Sequence, residues 1–158
     1  MIKIVCVGKI REKFYLQGIA EYKKRLEGYT KFEIIEVNEQ IIPANNSDAQ
    51  NEQAKAKEAD ALLARISPED VVILLDLHGK SYSSEEMADL LSDNFVRGKS
   101  RICFVIAGSL GFGEKMIQRA NYRWKLSDCT FPHQMVRLIL TEQIYRCFKI
   151  NAHEPYHK

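Results

Sequence analysis

Apolar positions change their period several times along this chain, and each change marks an element. Residues 2–7, IKIVCV, are a largely β-branched run ended by Gly8, the pattern of a first strand. Over 11–27, Tyr15, Ile19, Tyr22 and Leu26 recur every three or four residues, which predicts an amphipathic helix closed by Gly28. Residues 32–37, FEIIEV, read as a second strand. The polar stretch 38–46, with Pro43 inside it, is a loop expected to be mobile. Ser47 with Gln50 is a capping-box pattern, and Ala59, Leu62, Leu63 and Ile66 give the helix that follows its buried face.

After a turn at Ser67-Pro68-Glu69-Asp70 the period disappears. VVILLDL, 71–77, is an apolar run of the kind buried on both faces in a parallel sheet, and His78-Gly79-Lys80 ends it. Ser83 with Glu86 caps a third helix carrying Met87, Leu90, Leu91 and Phe95 and stopped by Gly98. A second buried strand, RICFVIA at 101–107, runs into Gly108-Ser109-Leu110-Gly111-Phe112-Gly113, and a short helix reaches from Glu114 to about Asn121. The last stretch, LSDCTFPHQMVRLILTEQIYRCFKI, breaks at Phe131-Pro132-His133 and becomes a helix. Pro132 suits its start, because a proline has no N–H to leave unpaired there. Val136, Ile139, Leu140, Ile144, Cys147 and Phe148 form the helix's apolar stripe, with Arg137, Thr141 and Arg146 off it. Strands alternating with helices predict an α/β fold, a mainly parallel sheet flanked by helices, as one domain over 1–158.

Composition narrows the chemistry. With 46% hydrophobic and 28% charged residues, 158 residues make an ordinary globule with a real core. A net charge of +2 admits a nucleic-acid partner without requiring one. The four cysteines, at 6, 103, 129 and 147, form no CxxC pair and have no histidine at ligand spacing, so no metal is expected. Cys6, Cys103 and Cys147 lie in apolar settings and read as reduced core thiols. The N-terminus is a strand pattern too short for a signal peptide, and no apolar run approaches membrane-spanning length. The expectation is a cytoplasmic protein without membrane contact.

Ligands of open α/β sheets bind beyond the carboxyl ends of the strands. Three such ends carry suitable residues: 75–79, 107–111 and 126–131, with glycines at 79, 108, 111 and 113 that let a ligand lie against the backbone. GSLGFG has the wrong spacing for a dinucleotide fingerprint and follows a late strand, and no phosphate-binding P-loop occurs. No Ser-His-Asp order or paired carboxylates stand out. The chain closes on Tyr156-His157-Lys158, a ring, an imidazole and a cation together, which is either a frayed end or a reactive one.

ILLDLHGK, FVIAGSLGFG, LSDCTFPHQMVRLILTEQIYRCFKI and HEPYHK, in that order, resemble the RlmH-type methyltransferases of the SPOUT superfamily. The opening VGK, the helix with EYKKRL and the length match as well, so the resemblance spans essentially the whole chain. One departure is that the family's glycine pair after the fourth strand is Ala107-Gly108 here.

That resemblance implies a SPOUT-type α/β fold with a C-terminal trefoil knot, an exception to the rule against knotted chains. It implies S-adenosylmethionine as cofactor, held by Leu75, Ala107 and Gly108, and by Leu126, Ser127, Asp128, Cys129, Thr130 and Phe131. It implies methylation of N3 of a pseudouridine in bacterial large-subunit ribosomal RNA, on the assembled ribosome. It also implies a homodimer with the last helix in its interface. The tail then belongs at the active site, with His157 and Tyr156 as the leading catalytic candidates and His133 and Arg137 behind them. A sulfonium methyl is already activated, so the protein's task is to orient it against N3 and to ease loss of the N3 proton. Two other readings compete: a non-catalytic RNA-binding protein of the same fold, and a small-molecule oxidoreductase. Cofactor binding separates all three.

Overall fold

In a computed structural model that describes residues 1–158, five parallel strands lie in the order β2-β1-β4-β3-β5. They are β1 (Ile2–Val7), β2 (Phe32–Val37), β3 (Val71–Ser81), β4 (Ile102–Ile106) and β5 (Tyr122–Lys125). The helices between them are α1 (Lys13–Leu26), α2 (Asp48–Leu63), α3 (Ser84–Val96) and α4 (Glu114–Arg119), and α5 (His133–Asn151) ends the chain's regular structure. β1 and β4 pair in register from Ile2 opposite Ile102 to Cys6 opposite Ile106.

Strand alternation sorts the core into two layers. Ile2, Ile4, Cys6, Ile73, Ile102, Phe104 and Ile106 pack with residues of α1, α3 and α5, among them Leu26, Leu91 and Ile144. Val5, Val7, Val72, Leu74, Cys103 and Val105 pack on the other side with Ala59 and Leu62 of α2 and Met116 of α4. Central strands covered on both sides must be apolar at every position, which is why their sequence carries no period. Lys3 is the exception. It is buried, and its Nζ donates to the Arg65 carbonyl at 2.7 Å and pairs with Asp70 at 2.6 Å. Asp70, in the turn that precedes β3, also accepts the Ser67 N–H at 2.7 Å and Arg101 Nε at 3.0 Å.

Both capping boxes form. Ser47 and Gln50 exchange side-chain and backbone hydrogen bonds at the start of α2, as do Ser83 and Glu86 at the start of α3. Gly98 ends α3 at φ +78°, a conformation that side chains resist. No helix is long and apolar enough to cross a membrane.

Three expectations need correcting. β3 does not stop at Leu77 but runs through His78-Gly79-Lys80 to Ser81. Its pairing with β5 shifts between Leu75 and Lys80, both of which face Trp124, so residues 76–79 bulge out of the ladder. Gly79 serves this bulge: a Cβ there would lie 2.5 Å from the Arg123 carbonyl. β5 itself was not predicted, because four residues, two of them cations, carry too little pattern to announce an edge strand. The buried side of α5 is also rotated from the apolar stripe. Arg137, Leu140, Thr141, Ile144, Tyr145 and Cys147 are buried, whereas Val136, Ile139 and Phe148 are only partly covered. Arg137 and Thr141 tolerate burial because each is hydrogen-bonded, Thr141 to the Arg137 carbonyl at 2.7 Å.

Candidate functional site

The β3 bulge, the glycine loop after β4 and the segment after β5 meet at the carboxyl end of the sheet. They enclose a cavity of about 500 Å³. Leu75, Asp76, Leu77 and His78 come from the bulge, Ile106 to Phe112 from the β4 loop, and Arg123, Trp124, Leu126, Ser127, Cys129, Thr130 and Phe131 from β5 and beyond. His133 and Val136, in the first turn of α5, Lys55 of α2 and Ile117 of α4 complete the lining. Without the bulge, residues 76–78 would continue the ladder instead of turning toward this space. Pro132 is the N-cap of α5 rather than its first helical residue. No side chain caps that end, so the first-turn N–H groups beside the cavity lack a side-chain acceptor.

The walls are mostly apolar, and their polar groups are few and placed. Asp76 accepts Arg123 Nε at 2.8 Å through one oxygen and the His78 N–H at 2.9 Å through the other, which fixes the bulge against β5. The Ser127 hydroxyl accepts the Cys129 N–H at 3.0 Å and shapes the last loop. Trp124 is buried, and its indole N–H has no partner in the protein. A buried donor without an acceptor is uncommon in a finished core and ordinary beside a ligand.

Of the residues expected to hold a cofactor, Leu75, Ala107, Gly108, Leu126, Ser127, Cys129, Thr130 and Phe131 all border the cavity. Asp128 does not. It is exposed and paired with Lys125 at 2.7 Å, which holds its carboxyl below the usual range.

The four catalytic candidates are dispersed. His133 lies at the cavity. Arg137, one turn further along α5, is 2% exposed and points the other way. It bonds Glu36 of β2 at 2.7 Å and the Gly8 carbonyl at 3.2 Å. Tyr156 and His157 do not border this chain's cavity, nor are they frayed. The Tyr156 hydroxyl donates to Glu142 at 2.9 Å, and its ring meets Tyr145 edge-on at 4.9 Å beneath the Arg146 guanidinium. His157 lies 3.2 Å from Arg146 through Nδ1 and 2.7 Å from Glu85 of α3 through Nε2. Burial above all, reinforced by Tyr22 and Glu142, pushes the Tyr156 phenol up, so it is a neutral donor.

Lys55, Arg123 and Trp124 were missed as lining residues. Lys55 sits among other polar residues of α2, with nothing local to distinguish it. Arg123 and Trp124 were recoverable only by recognising Tyr-Arg-Trp-Lys as a strand.

A family model described as "Predicted SPOUT methyltransferase" matches residues 1–157. A protein of Clostridium novyi (strain NT) named ribosomal RNA large subunit methyltransferase H is 50% identical over 157 residues, 99% of each chain. One of the same name from Clostridioides difficile (strain 630) is 52% identical over the same span, again 99% of each. Among solved structures, a probable methylase family protein from Haemophilus influenzae Rd KW20 matches with a TM-score of 0.50. At 14% identity, covering 99% of this chain and 70% of that one, the likeness is one of fold.

Proposed function

The chain belongs to the SPOUT methyltransferase family, and from that footing we propose that it methylates N3 of a pseudouridine in large-subunit ribosomal RNA, on the assembled ribosome, with S-adenosylmethionine as donor. The observation that carries this reading is convergence. Three loops distant in sequence, and every expected cofactor residue but Asp128, meet at one cavity of about 500 Å³. That size suits a nucleoside-sized ligand.

The lining fits the cofactor chemically. Leu75, Leu126, Phe131 and Val136 offer apolar walls to a flat base, and the backbone at Ala107–Gly108 and 126–131 offers donors and acceptors to its edges. The unpartnered Trp124 N–H is a further donor. When bound, S-adenosylmethionine supplies a methyl group already activated on sulfur. The protein then has to align the acceptor nitrogen, exclude water and give the N3 proton a path out.

His133 is the candidate within the cavity, and the tail is its proposed complement. Because Tyr156 and His157 stand off their own cavity, we assign them to the site of a second subunit in a homodimer. Exposed Phe14 and Leu16 on α1 and partly covered Ile139 on α5 provide apolar surface for that contact. Tyr156, whose hydroxyl proton is given to Glu142, offers the uracil its ring rather than a base. Arg137 supports the helix from which His133 projects. On this reading the trefoil knot belongs to the part of the chain from β3 to α5, whose loops form the cavity.

The test is methyl transfer to intact ribosomes from a strain lacking this gene, with mass mapping of the product. One methyl on a pseudouridine of the large-subunit RNA is expected. A methyl on another nucleotide, or none, refutes the proposal.

A further inference from the structure

Glu58 of α2 is buried at 3% exposure, yet it pairs with no cation. One carboxyl oxygen accepts the Gln40 N–H at 2.9 Å, and the other is buried without a partner. That free oxygen faces the loop after β4: a Cβ built on Gly108 would lie 3.1 Å from it and 3.1 Å from Val7. Gly113, at the far end of the loop, is as close to α2, where a Cβ would lie 3.0 Å from the Lys55 carbonyl. Gly108 and Gly113 therefore seat the two ends of the glycine loop on α2, with the carboxyl beneath Gly108.

The side of Gly108 pressed on Glu58 is already filled, so the absence of a side chain there serves contact with the protein. The same residue also borders the cavity. Anything that moves the Glu58 carboxyl shifts the backbone on which a cofactor would rest.

We propose that Glu58 is a positioning residue for the cofactor: its carboxyl, lodged between Gln40 and Gly108, sets the backbone of Ala107–Gly108 at the cavity wall. The proposal rests on the cofactor reading above. Burial above all, with a smaller push from the nearby Glu39 carboxylate, raises the pKa of Glu58 against the Gln40 hydrogen bond. Val7 and Gly108, on the other packed elements, bring no charge.

The test measures S-adenosylmethionine affinity by calorimetry, and KM for S-adenosylmethionine and kcat in the ribosome assay. Glu58→Ala, a good helix former, should keep the fold, checked by circular dichroism and melting. It should raise the cofactor KM about tenfold or more while kcat at saturating cofactor stays near wild type. Glu58→Gln keeps an oxygen for the Gln40 N–H and should rescue most of that loss. Gly108→Ala should also weaken cofactor binding, and Glu58→Ala added to it should cost less than the two effects combined, because the clash it relieves is with Glu58 itself.

Unchanged cofactor affinity in folded Glu58→Ala overturns the proposal. So does Glu58→Gln as poor as Glu58→Ala, a loss confined to kcat, or strict additivity with Gly108→Ala. Should Glu58→Ala prove unfolded, Glu58→Asp, whose shorter side chain draws the carboxyl back from Gly108, decides by the same additivity test with Gly108→Ala. Wild-type protein that binds no S-adenosylmethionine overturns the cofactor reading first and this proposal with it, a failure visible before any variant is made.

Discussion

Replacing Arg137 with methionine separates a supporting role from a chemical one. Methionine keeps much of the unbranched apolar stem and removes the guanidinium. The variant loses the 2.7 Å contact with Glu36 and the 3.2 Å bond to the Gly8 carbonyl. A hydrogen bond to a charged group contributes about 1.5–3 kcal/mol. The lower end applies, since the Glu36 side chain is 33% exposed and water takes the vacated place. The freed Gly8 carbonyl adds about 1 kcal/mol if water does not reach it. Against this, the buried Arg137 Nε has no partner, so removing it relieves a standing cost. The net is a destabilisation of about 2 kcal/mol, which for a chain of this size lowers the thermal midpoint by about 4–8 °C. Calorimetric melting and urea unfolding measure the change, and methyl transfer below the melting range should fall no further than the folded fraction does. A variant as stable as wild type that has lost methyl transfer refutes the reasoning and places Arg137 at the chemistry.

Asp70→Asn leaves Lys3 buried beside a neutral amide and should cost about 3 kcal/mol near neutral pH. Although burial works to raise it, the Asp70 carboxyl is held below the usual carboxylate range by Lys3, the Ser67 N–H and Arg101. Its stabilisation is therefore present above about pH 4 and lost as pH falls through the folded pKa, so urea midpoints of variant and wild type should converge in acid. A gap that widens in acid contradicts this assignment. Cys129 is exposed at the cavity, while burial pushes Cys6, Cys103 and Cys147 up to about 12, so a thiol reagent should modify one cysteine in the native protein and four after denaturation. S-adenosylmethionine should slow that single reaction, and a rate indifferent to it removes Cys129 from the site. Deleting residues 156–158 should lower the thermal midpoint by a few degrees, because Tyr156 packs on Tyr145, and should leave cofactor affinity near wild type. Methyl transfer should fall by orders of magnitude, and sedimentation should still give twice the 18.2 kDa chain. Full turnover by the truncated chain, or an active monomer, ends the shared-site reading.

Periodicity located what repeats and lost what does not. The runs 2–7 and 101–107 identified two of the three inner strands because a strand covered on both sides has few polar positions to spare. Ser-x-x-Gln and Ser-x-x-Glu marked two helix starts because a cap is a local exchange between residues three apart. The end of β3 was not legible: His78, Gly79 and Lys80 look like a stop, and what keeps them in the sheet is Trp124, more than forty residues away. The buried side of α5 was misjudged for a related reason. Arg137 counts as polar in any local pattern, and only Glu36 of β2 and the Gly8 carbonyl just after β1, both near the start of the chain, make its burial tolerable. The three loops of the cavity were legible from their positions at strand ends and from glycine, although Gly108 was read as room for a ligand and turns out to be seated on Glu58. Lys55 shows the limit, as a lysine on a polar helix whose neighbours in space are set by how α2 crosses the sheet.

The order of the strands also has a consequence for how the chain is made. β1 acquires β2 on one side as soon as about forty residues exist, but its other edge waits for β4, about a hundred residues downstream. At about 5–20 residues per second that interval is of the order of five to twenty seconds. Throughout it the nascent chain carries a six-residue apolar strand with an open edge, which is an invitation to pair with a neighbour or to recruit a chaperone. The centre of the finished sheet is thus among the last parts of this protein to be closed.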